Sequence, residues 1–364
     1  MVNILHFSDY LPDHRVEKYA IYHQKKGFNI HFLGYDGPTE LLSFKETSFS
    51  TITTLNISKQ ERFFPKMMKN KDELKSIINN INPDIIHIHN IFNLNIIVQL
   101  FPDLIDRLVY DSHEYWSKQV KLRFRLRLNS KLFHRILVPI WERNIQKVPT
   151  ITVTPQIATE YAKMYDADVI TIPNLPLGSL IPNLNTLRNE KTIAYLGKLE
   201  EDNLVYSYRD NSPLINTLSN YNEYIINIYG NNYYPIDLPN LNYKGFVFHQ
   251  NLLTSLNSNV YGLYGFQAHP FHYYTSPVRI SNFIHSGLIP IIPNSMSMGF
   301  FNEFSKYSII YDDIRKIPKL LEKFEKSYSN DIHESIIKLA QDKFVLEKYL
   351  KPLDKVYQNI IENH

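Results

Sequence analysis

A histidine and a glutamate follow an apolar run in Leu108-Val-Tyr-Asp-Ser-His113-Glu114. A histidine so placed can bond a hydroxyl, and Glu114 beside it can fix its tautomer or accept from a hydroxyl. The same position also suits a histidine satisfied within a core. Gly197 and Lys198 close another apolar run, Thr192-Ile-Ala-Tyr-Leu196. A glycine there lets an anion such as phosphate approach the backbone, and the ammonium supplies a point charge; a solvated loop lysine reads the same way. Arg279 stands two residues after Pro277, at the start of a helical stretch ending near Gly287. A guanidinium beside the free N–H groups of a first turn makes an anion site. Without an anion, a cation at that end opposes the helix dipole, which favours the binding reading over an exposed arginine. His87 and His89 share one face of a strand. That spacing occurs in metal sites, but no third ligand is apparent in the sequence, so structural or ligand-lining roles fit better.

A further group is basic. Arg123, Arg127, Lys131 and Arg135 recur every four residues and line one face of any helix there. Leu122, Leu126, Phe133 and Leu137 fall on a neighbouring face. This suits an amphipathic helix on an anionic lipid surface. A solvated helix accounts for it equally well, and the segment Lys121–Leu128 also alternates with period two, as a strand would.

These groups need elements to hold them. The N-terminal half alternates strand-like runs with amphipathic stretches: Ile4–Phe7, a helix over Arg15–Lys26 closed by Gly27, Asn29–Leu33, a helix over Asp72–Asn80, Asp84–His89, Leu108–Asp111 and Thr150–Thr154. Near-continuous apolar strands separated by helices require a parallel sheet covered on both faces. Pro173, Pro176 and Pro182 interrupt the pattern, and it restarts with Thr192–Leu196, Tyr224–Tyr229, Val260–Tyr264 and Ile289–Ile292. The end, Glu334–Ile361, reads as helix kinked at Pro352. With 364 residues the chain has room for two such α/β units. A net charge of +3 argues against nucleic acid as a partner, and the absence of cysteine excludes disulfides and thiolate sites. The N-terminus opens on a strand with no leader pattern, and no apolar run spans a bilayer. The expected location is cytoplasmic.

Seven fragments in register carry a resemblance. They are Asp13-His-Arg15-Val16, Pro83-Asp-Ile-Ile-His-Ile-His89, Val109-Tyr-Asp-Ser-His-Glu114, Val169-Ile-Thr-Ile-Pro-Asn174, Ile193-Ala-Tyr-Leu-Gly-Lys198, Lys244-Gly-Phe-Val247 and Ser276-Pro-Val-Arg-Ile-Ser-Asn282 running on to Gly287 and Pro290. In this order the chain resembles the GT-B glycosyltransferases of family 4 over essentially its whole length. The resemblance implies two doubly wound Rossmann-like domains facing a central cleft. An acceptor domain over 1–175, a linker over 176–190, a nucleotide-sugar domain over 191–340 and a C-terminal helix over 341–364 returning to the first domain are expected.

It also implies transfer of a sugar, hexosyl in type, from a nucleotide-diphosphate-sugar donor with retention and without a metal or other cofactor. The expected donor is a UDP-sugar. The expected acceptor is a glycan or lipid-linked glycan of surface polysaccharide biosynthesis, met peripherally on the inner face of a membrane. By the same resemblance His113 lies at the reacting sugar with Glu114. Gly197, Lys198, Tyr274, Ser276, Arg279 and Asn282 hold the donor, and Asp13, Arg15 and His89 meet the acceptor. The Asp-rich pairs Asp312-Asp313 and Asp166-Ala-Asp168 read as loop punctuation and not as a metal motif. Tyr274 and Asn282 stand where many relatives carry glutamates, and Glu200-Glu-Asp-Asn203 replaces a second basic residue, so weak donor binding, use of Arg209 instead, or an unusual donor are the alternatives. Those departures keep open a catalytically silent carbohydrate-binding relative, and the same architecture also suits a nucleotide-sugar epimerase.

Overall fold

The computed structural model describes residues 1–37, 42–58, 67, 69–121, 128–184, 188–199, 209, 211–230, 236–329 and 331–363, without the side chains of 120, 121 and 128–134. The chain forms two compact units, one from Met1–Lys121, Ser130–Pro173 and Tyr349–His364, the other chiefly from Asn174–Lys348. Residues 341–348, joined to the closing helix in the sequence reading, therefore group with the second unit.

The first unit is a parallel sheet of β1 (Asn3–Phe7), β2 (Asn29–Asp36), β3 (Thr51–Ser58), β4 (Ile85–His89), β5 (Leu108–Ser112), β6 (Thr150–Thr152) and β7 (Val169–Thr171). Its order is β3-β2-β1-β4-β5-β6-β7. Branched apolar residues make β1, β4 and β5 nearly continuous buried runs, as strands covered on both faces must be. Register does the rest. His6 of β1 lies opposite His87 of β4, and His89 lies opposite Asp111 of β5. Side chains two apart share a face, so one face of the sheet collects His6, His87, His89 and Asp111.

Two helices bring residues to that face. Asp13 caps α1 (His14–Gln24) by accepting from the backbone N–H groups of Arg15 and Val16. Glu17 accepts from the Asp13 N–H in return. The closing helix, Lys351–Glu362, starts with Pro352 in its first turn and buries Leu353, Tyr357 and Ile360. Pro352 opens this helix instead of kinking a longer one: proline lacks the N–H that a first turn leaves unpaired anyway. The preceding helix, Asp331–Lys343, is separate. Asp354 ties the closing helix to α1, accepting from Tyr22 Oη at 2.9 Å and pairing with Lys26 at 2.5 Å.

The second unit repeats the topology. Its strands are β8 (Thr192–Leu196), β9 (Ile225–Tyr229), β10 (Leu241–Gly245), β11 (Tyr261–Leu263), β12 (Ile289–Pro293) and β13 (Ile309–Tyr311), in the order β10-β9-β8-β11-β12-β13. In both sheets the strand order reverses beside the first strand. Ligands of open α/β sheets bind outside the carboxyl ends at such a point. The ends that matter are those of β1 and β4 in one unit, and of β8 and β11 in the other.

Candidate active site

In the first unit a buried carboxylate organises the carboxyl ends. Arg15, from the first turn of α1, donates through Nε to Asp111 Oδ2 at 2.7 Å and through Nη2 to Oδ1 at 3.0 Å. The same guanidinium donates to the Ile172 carbonyl at 2.8 Å, and Tyr19 Oη donates to Asp111 Oδ2 at 3.0 Å. Burial alone would raise the Asp111 carboxyl, but the charge of Arg15 and the hydrogen bonds it receives hold it well below the ordinary carboxylate range.

Imidazoles surround this pair. His6 Nδ1 is 3.0 Å from His89 Nε2, and His89 Nδ1 is 3.1 Å from His113 Nε2. His87 Nδ1 is 2.6 Å from Tyr357 Oη of the closing helix. Asp111 Oδ2 stands 3.6 Å from both His89 Nδ1 and His113 Nε2. Burial pushes His6 down to about 3 and drives His87 and His89 well below their usual value, so these three rings are neutral. His113 is the member that reaches outward, with its side chain 30% exposed.

Two groups of three bring metal-ligating atoms within 4.8 Å of one another: His6, His87 and His89, and His89, Asp111 and His113. In the first, His87 and His89 stack at 4.5 Å with planes 17° apart. A metal lies in the plane of each imidazole that binds it, so stacked rings do not converge on one ion. In the second, the oxygen nearest the histidines already accepts from Arg15 and Tyr19. Hydrogen bonds join His6 to His89, His89 to His113 and His87 to Tyr357, while His6 Nε2 and His87 Nε2 have no partner among the described residues.

The sequence reading paired His113 with Glu114; the structure gives its Nε2 to His89 and Asp111. Arg15 and His89, expected at the acceptor, lie inside the network at 3% and 1% exposure. Asp13 is an N-cap and also accepts from Ser8 Oγ at 2.7 Å. His6 is the third histidine that the sequence did not reveal. Its relation to His87 is one of register between strands about 80 residues apart, and no local motif shows it.

In the second unit the carboxyl ends are bare. Gly197 follows β8 with φ +118°, and a Cβ there would meet Arg279 Nη2 at 2.7 Å. Gly230 follows β9, and a Cβ on it would stand 2.9 Å from the Gly197 carbonyl. The positive φ favours glycine at both positions, and the two half-buried glycines donate their N–H groups to the Tyr229 and Gly245 carbonyls. Gly230 was also missed from the sequence, although Tyr229-Gly230 repeats the strand-then-glycine signal of Leu196-Gly197.

Arg279 lies in the first turn of α3 (Val278–His285). Its Nη1 donates to the Tyr264 carbonyl at the end of β11. Its Cζ lies 4.8 Å from the Tyr195 ring centroid and 4.9 Å from that of Phe266. Stacked and bonded, the guanidinium is held at the switch point beside Gly197. Ser276 precedes the helix, and its buried Oγ has no hydrogen-bond partner among the described residues. Lys198 is exposed next to Gly197, Tyr274 is half-buried in the turn before α3, and Asn282 is buried within α3 at 6% exposure.

Of the Asp-rich pairs, Asp313 accepts from the Arg315 N–H and side chain, Asp312 pairs with Lys316, and Asp166 caps a helix with φ 48°. Residues 200–203 lie outside the described residues. So do Arg123 and Arg127 and the side chain of Lys131. Arg135 is described and exposed on α2 (Leu128–Glu142), followed by the exposed apolar pair Ile136 and Ile140, 54% and 48% exposed. No described helix is long and apolar enough to cross a membrane.

Two parallel sheets of this order make up the GT-B fold. Among solved structures the chain is similar to sucrose-phosphate synthase from Thermosynechococcus elongatus (TM-score 0.77, 11% identity, all of both chains covered). It is also similar to the lipopolysaccharide outer core galactosyltransferase WaaB (TM-score 0.61, 13% identity, 100% of this chain and 99% of that one). A third is HepE from Anabaena in complex with UDP (TM-score 0.63, 11% identity, 100% and 99%). No protein-family model and no curated protein matches the sequence.

Proposed function

We propose that this protein is a glycosyltransferase that moves a hexosyl unit from a nucleotide-diphosphate-sugar donor, a UDP-sugar, to a glycan or lipid-linked glycan of surface polysaccharide biosynthesis. The observation that carries this reading is the arginine fixed against a strand-end glycine at the second unit's switch point. A departing nucleoside diphosphate develops charge on its β-phosphate, and a preorganised cation with backbone and hydroxyl donors meets that charge without rearranging. Arg279, the exposed Lys198, the free first-turn N–H groups of α3 and Ser276 Oγ are the donors for it. Asn282 is the candidate for ribose and Tyr274 for the nucleotide's flank. His113 and Glu114, after β5, serve the sugar or acceptor hydroxyls, and Asp13, after β1, is a further candidate for the acceptor. The UDP in the HepE structure supports the choice of nucleotide.

On this reading the reaction retains anomeric configuration and uses no metal. The enzyme works in the cytoplasm against a membrane face, with Arg135, Ile136 and Ile140 on the docking side.

The test combines ligand-induced thermal shift with product analysis. UDP and a UDP-sugar are expected to raise the melting temperature, since a ligand of the native state stabilises it. Arg279→Ala and Lys198→Ala are each expected to cut transfer by about 10²-fold or more. Unchanged turnover in both variants sinks the assignment. Isomerised donor without acceptor would establish an epimerase, and carbohydrate binding without nucleotide binding would establish a silent relative.

A further inference from the structure

His6, His89 and His113 form a chain in which each contact has room for one hydrogen. The contacts are His6 Nδ1 to His89 Nε2 at 3.0 Å and His89 Nδ1 to His113 Nε2 at 3.1 Å. A neutral imidazole carries a single N–H, so His89 can donate at one end only and must accept at the other. The two contacts therefore run in the same direction. If they run outward, His6 Nδ1–H donates to His89, His89 Nδ1–H donates to His113, and the hydrogen of His113 sits on Nδ1. If they run inward, His113 donates through Nε2, His89 through Nε2, and the hydrogen of His6 sits on its own Nε2.

Asp111 does not choose between these. Its Oδ2 is 3.6 Å from His89 Nδ1 and 3.6 Å from His113 Nε2, so either hydrogen meets the same carboxylate at the same range. The far end of the chain does choose. His6 Nε2 is buried and has no hydrogen-bond partner among the described residues. Running inward would leave an N–H in the core with no acceptor, whereas running outward leaves a bare ring nitrogen there. Orphaned buried N–H groups are the rarer of the two in native proteins.

We infer that His6 and His89 are positioning residues that lock His113 as its Nδ1–H tautomer, so that this ring offers a ligand a hydrogen and not a lone pair. The tautomer stands on the geometry of the chain and on the neutrality of its buried rings. Its use, donation to a sugar or acceptor oxygen while another group takes the acceptor's proton, rests on the proposed transfer reaction.

The experiment is long-range ¹H–¹⁵N correlation on the full chain labelled with ¹⁵N-histidine, at pH 8, where a free imidazole is neutral. The signals of His113 are assigned by their loss in His113→Gln. The expected result is an N–H-type Nδ1 and a bare Nε2 in His6, His89 and His113 alike. A wild-type His113 protonated on Nε2 overturns the proposal, and this measurement needs no variant that might fail to fold. His89→Phe removes the donor to His113 Nε2 and leaves Asp111 as the neighbour of that nitrogen. The Nδ1–H population of His113 is then expected to fall about tenfold or more. His89→Asn places an amide donor where Nδ1–H stood and is expected to restore it. An unchanged tautomer in a folded His89→Phe variant overturns the relay. UDP binding, read by thermal shift in the same variants, is expected to be unaffected. Its absence in the wild type as well would fault the reading of the second unit and leave the tautomer result intact.

Discussion

In the first unit the switch point is filled: His6, His89 and Asp111 project from the strands, and Arg15 and Tyr19 reach them from α1. Every charge there meets its opposite inside the protein. In the second unit the corresponding strand ends carry glycine, and Arg279 makes no ion pair among the described residues; its partners are a carbonyl and aromatic rings. The same topology thus serves opposite ends. One sheet builds a fixed field and aims a single ring outward, while the other, on the proposed reading, leaves the cations Arg279 and Lys198 for a ligand's own charge to complete. Function would then make opposite demands on stability. Disturbing the first site should unfold it, and disturbing the second should spare the fold and cost binding.

Acid gives the largest contrast. His6 is lowered to about 3, with His87 and His89 lowered too, all chiefly by burial. Below about pH 6.5 the unfolded chain takes up protons on these rings and the folded one does not. The stability they contribute is complete above that pH and is lost as pH falls toward about 3. At pH 5 His6 alone costs about 2 kcal/mol, and His87 and His89 add in the same direction. Both tryptophans, Trp116 and Trp141, lie in the first unit, so their fluorescence follows it alone. The second unit has His333, lowered to about 4, and His269, lowered by burial, as acid-sensitive rings of its own. Fluorescence is expected to change at higher pH than the remaining far-ultraviolet dichroism; coincident transitions would break the comparison.

Next in size is Asp111→Ala. It strands the Arg15 guanidinium in the core, and removing one partner of a buried pair costs about 3–5 kcal/mol. A urea midpoint read by tryptophan fluorescence should show that loss. A change under 1 kcal/mol would mean that water reaches Arg15.

Smaller again is Gly197→Ala. The backbone there has φ +118°, and the new methyl would press on Arg279 Nη2. Strain of this kind costs about 1–3 kcal/mol, and displacement of the guanidinium should weaken UDP binding about tenfold. Calorimetry measures the second effect. Undiminished affinity would show that Arg279 does not act from where it rests.

Much of this architecture was legible from the sequence because β1, β4, β5, β8, β9 and β12 are buried on both faces and so read as apolar runs. β3, β7, β10 and β13 were not seen: they are the edge strands of the two sheets, short or half-exposed, and Thr51-Ile-Thr-Thr-Leu-Asn-Ile-Ser58 has too little apolar content to stand out. The site divided in the same way. His113, Lys198 and Arg279 each follow or precede an element boundary and could be picked by position. The contact of Gly197 with Arg279 and the chain from His6 to His113 depend on strand register and on side chains more than 80 positions apart. Local sequence holds no record of such pairings, and so Arg15 and His89 could be picked as candidate ligand-lining residues but not as members of a network around Asp111.

The smallest expected effect, and the finest test of the contrast, is Arg279→Lys. If the second site is only a positive point left open for phosphate, a lysine keeps the charge and loses little. The structure argues for more than charge. The guanidinium lies against Tyr195 and Phe266 while donating to the Tyr264 carbonyl, so its plane is fixed before any ligand arrives. An ammonium neither stacks as a plane nor forks two donors to one phosphate, and its flexible stem must be ordered on binding. Lysine should therefore weaken UDP binding by about tenfold, roughly 1.4 kcal/mol, and leave the urea midpoint within about 0.5 kcal/mol of wild type. Affinity equal to wild type would reduce the site to a bare cation. Affinity as low as that of Arg279→Ala would mean that orientation supplies the whole effect, and the second unit would then be as preorganised as the first.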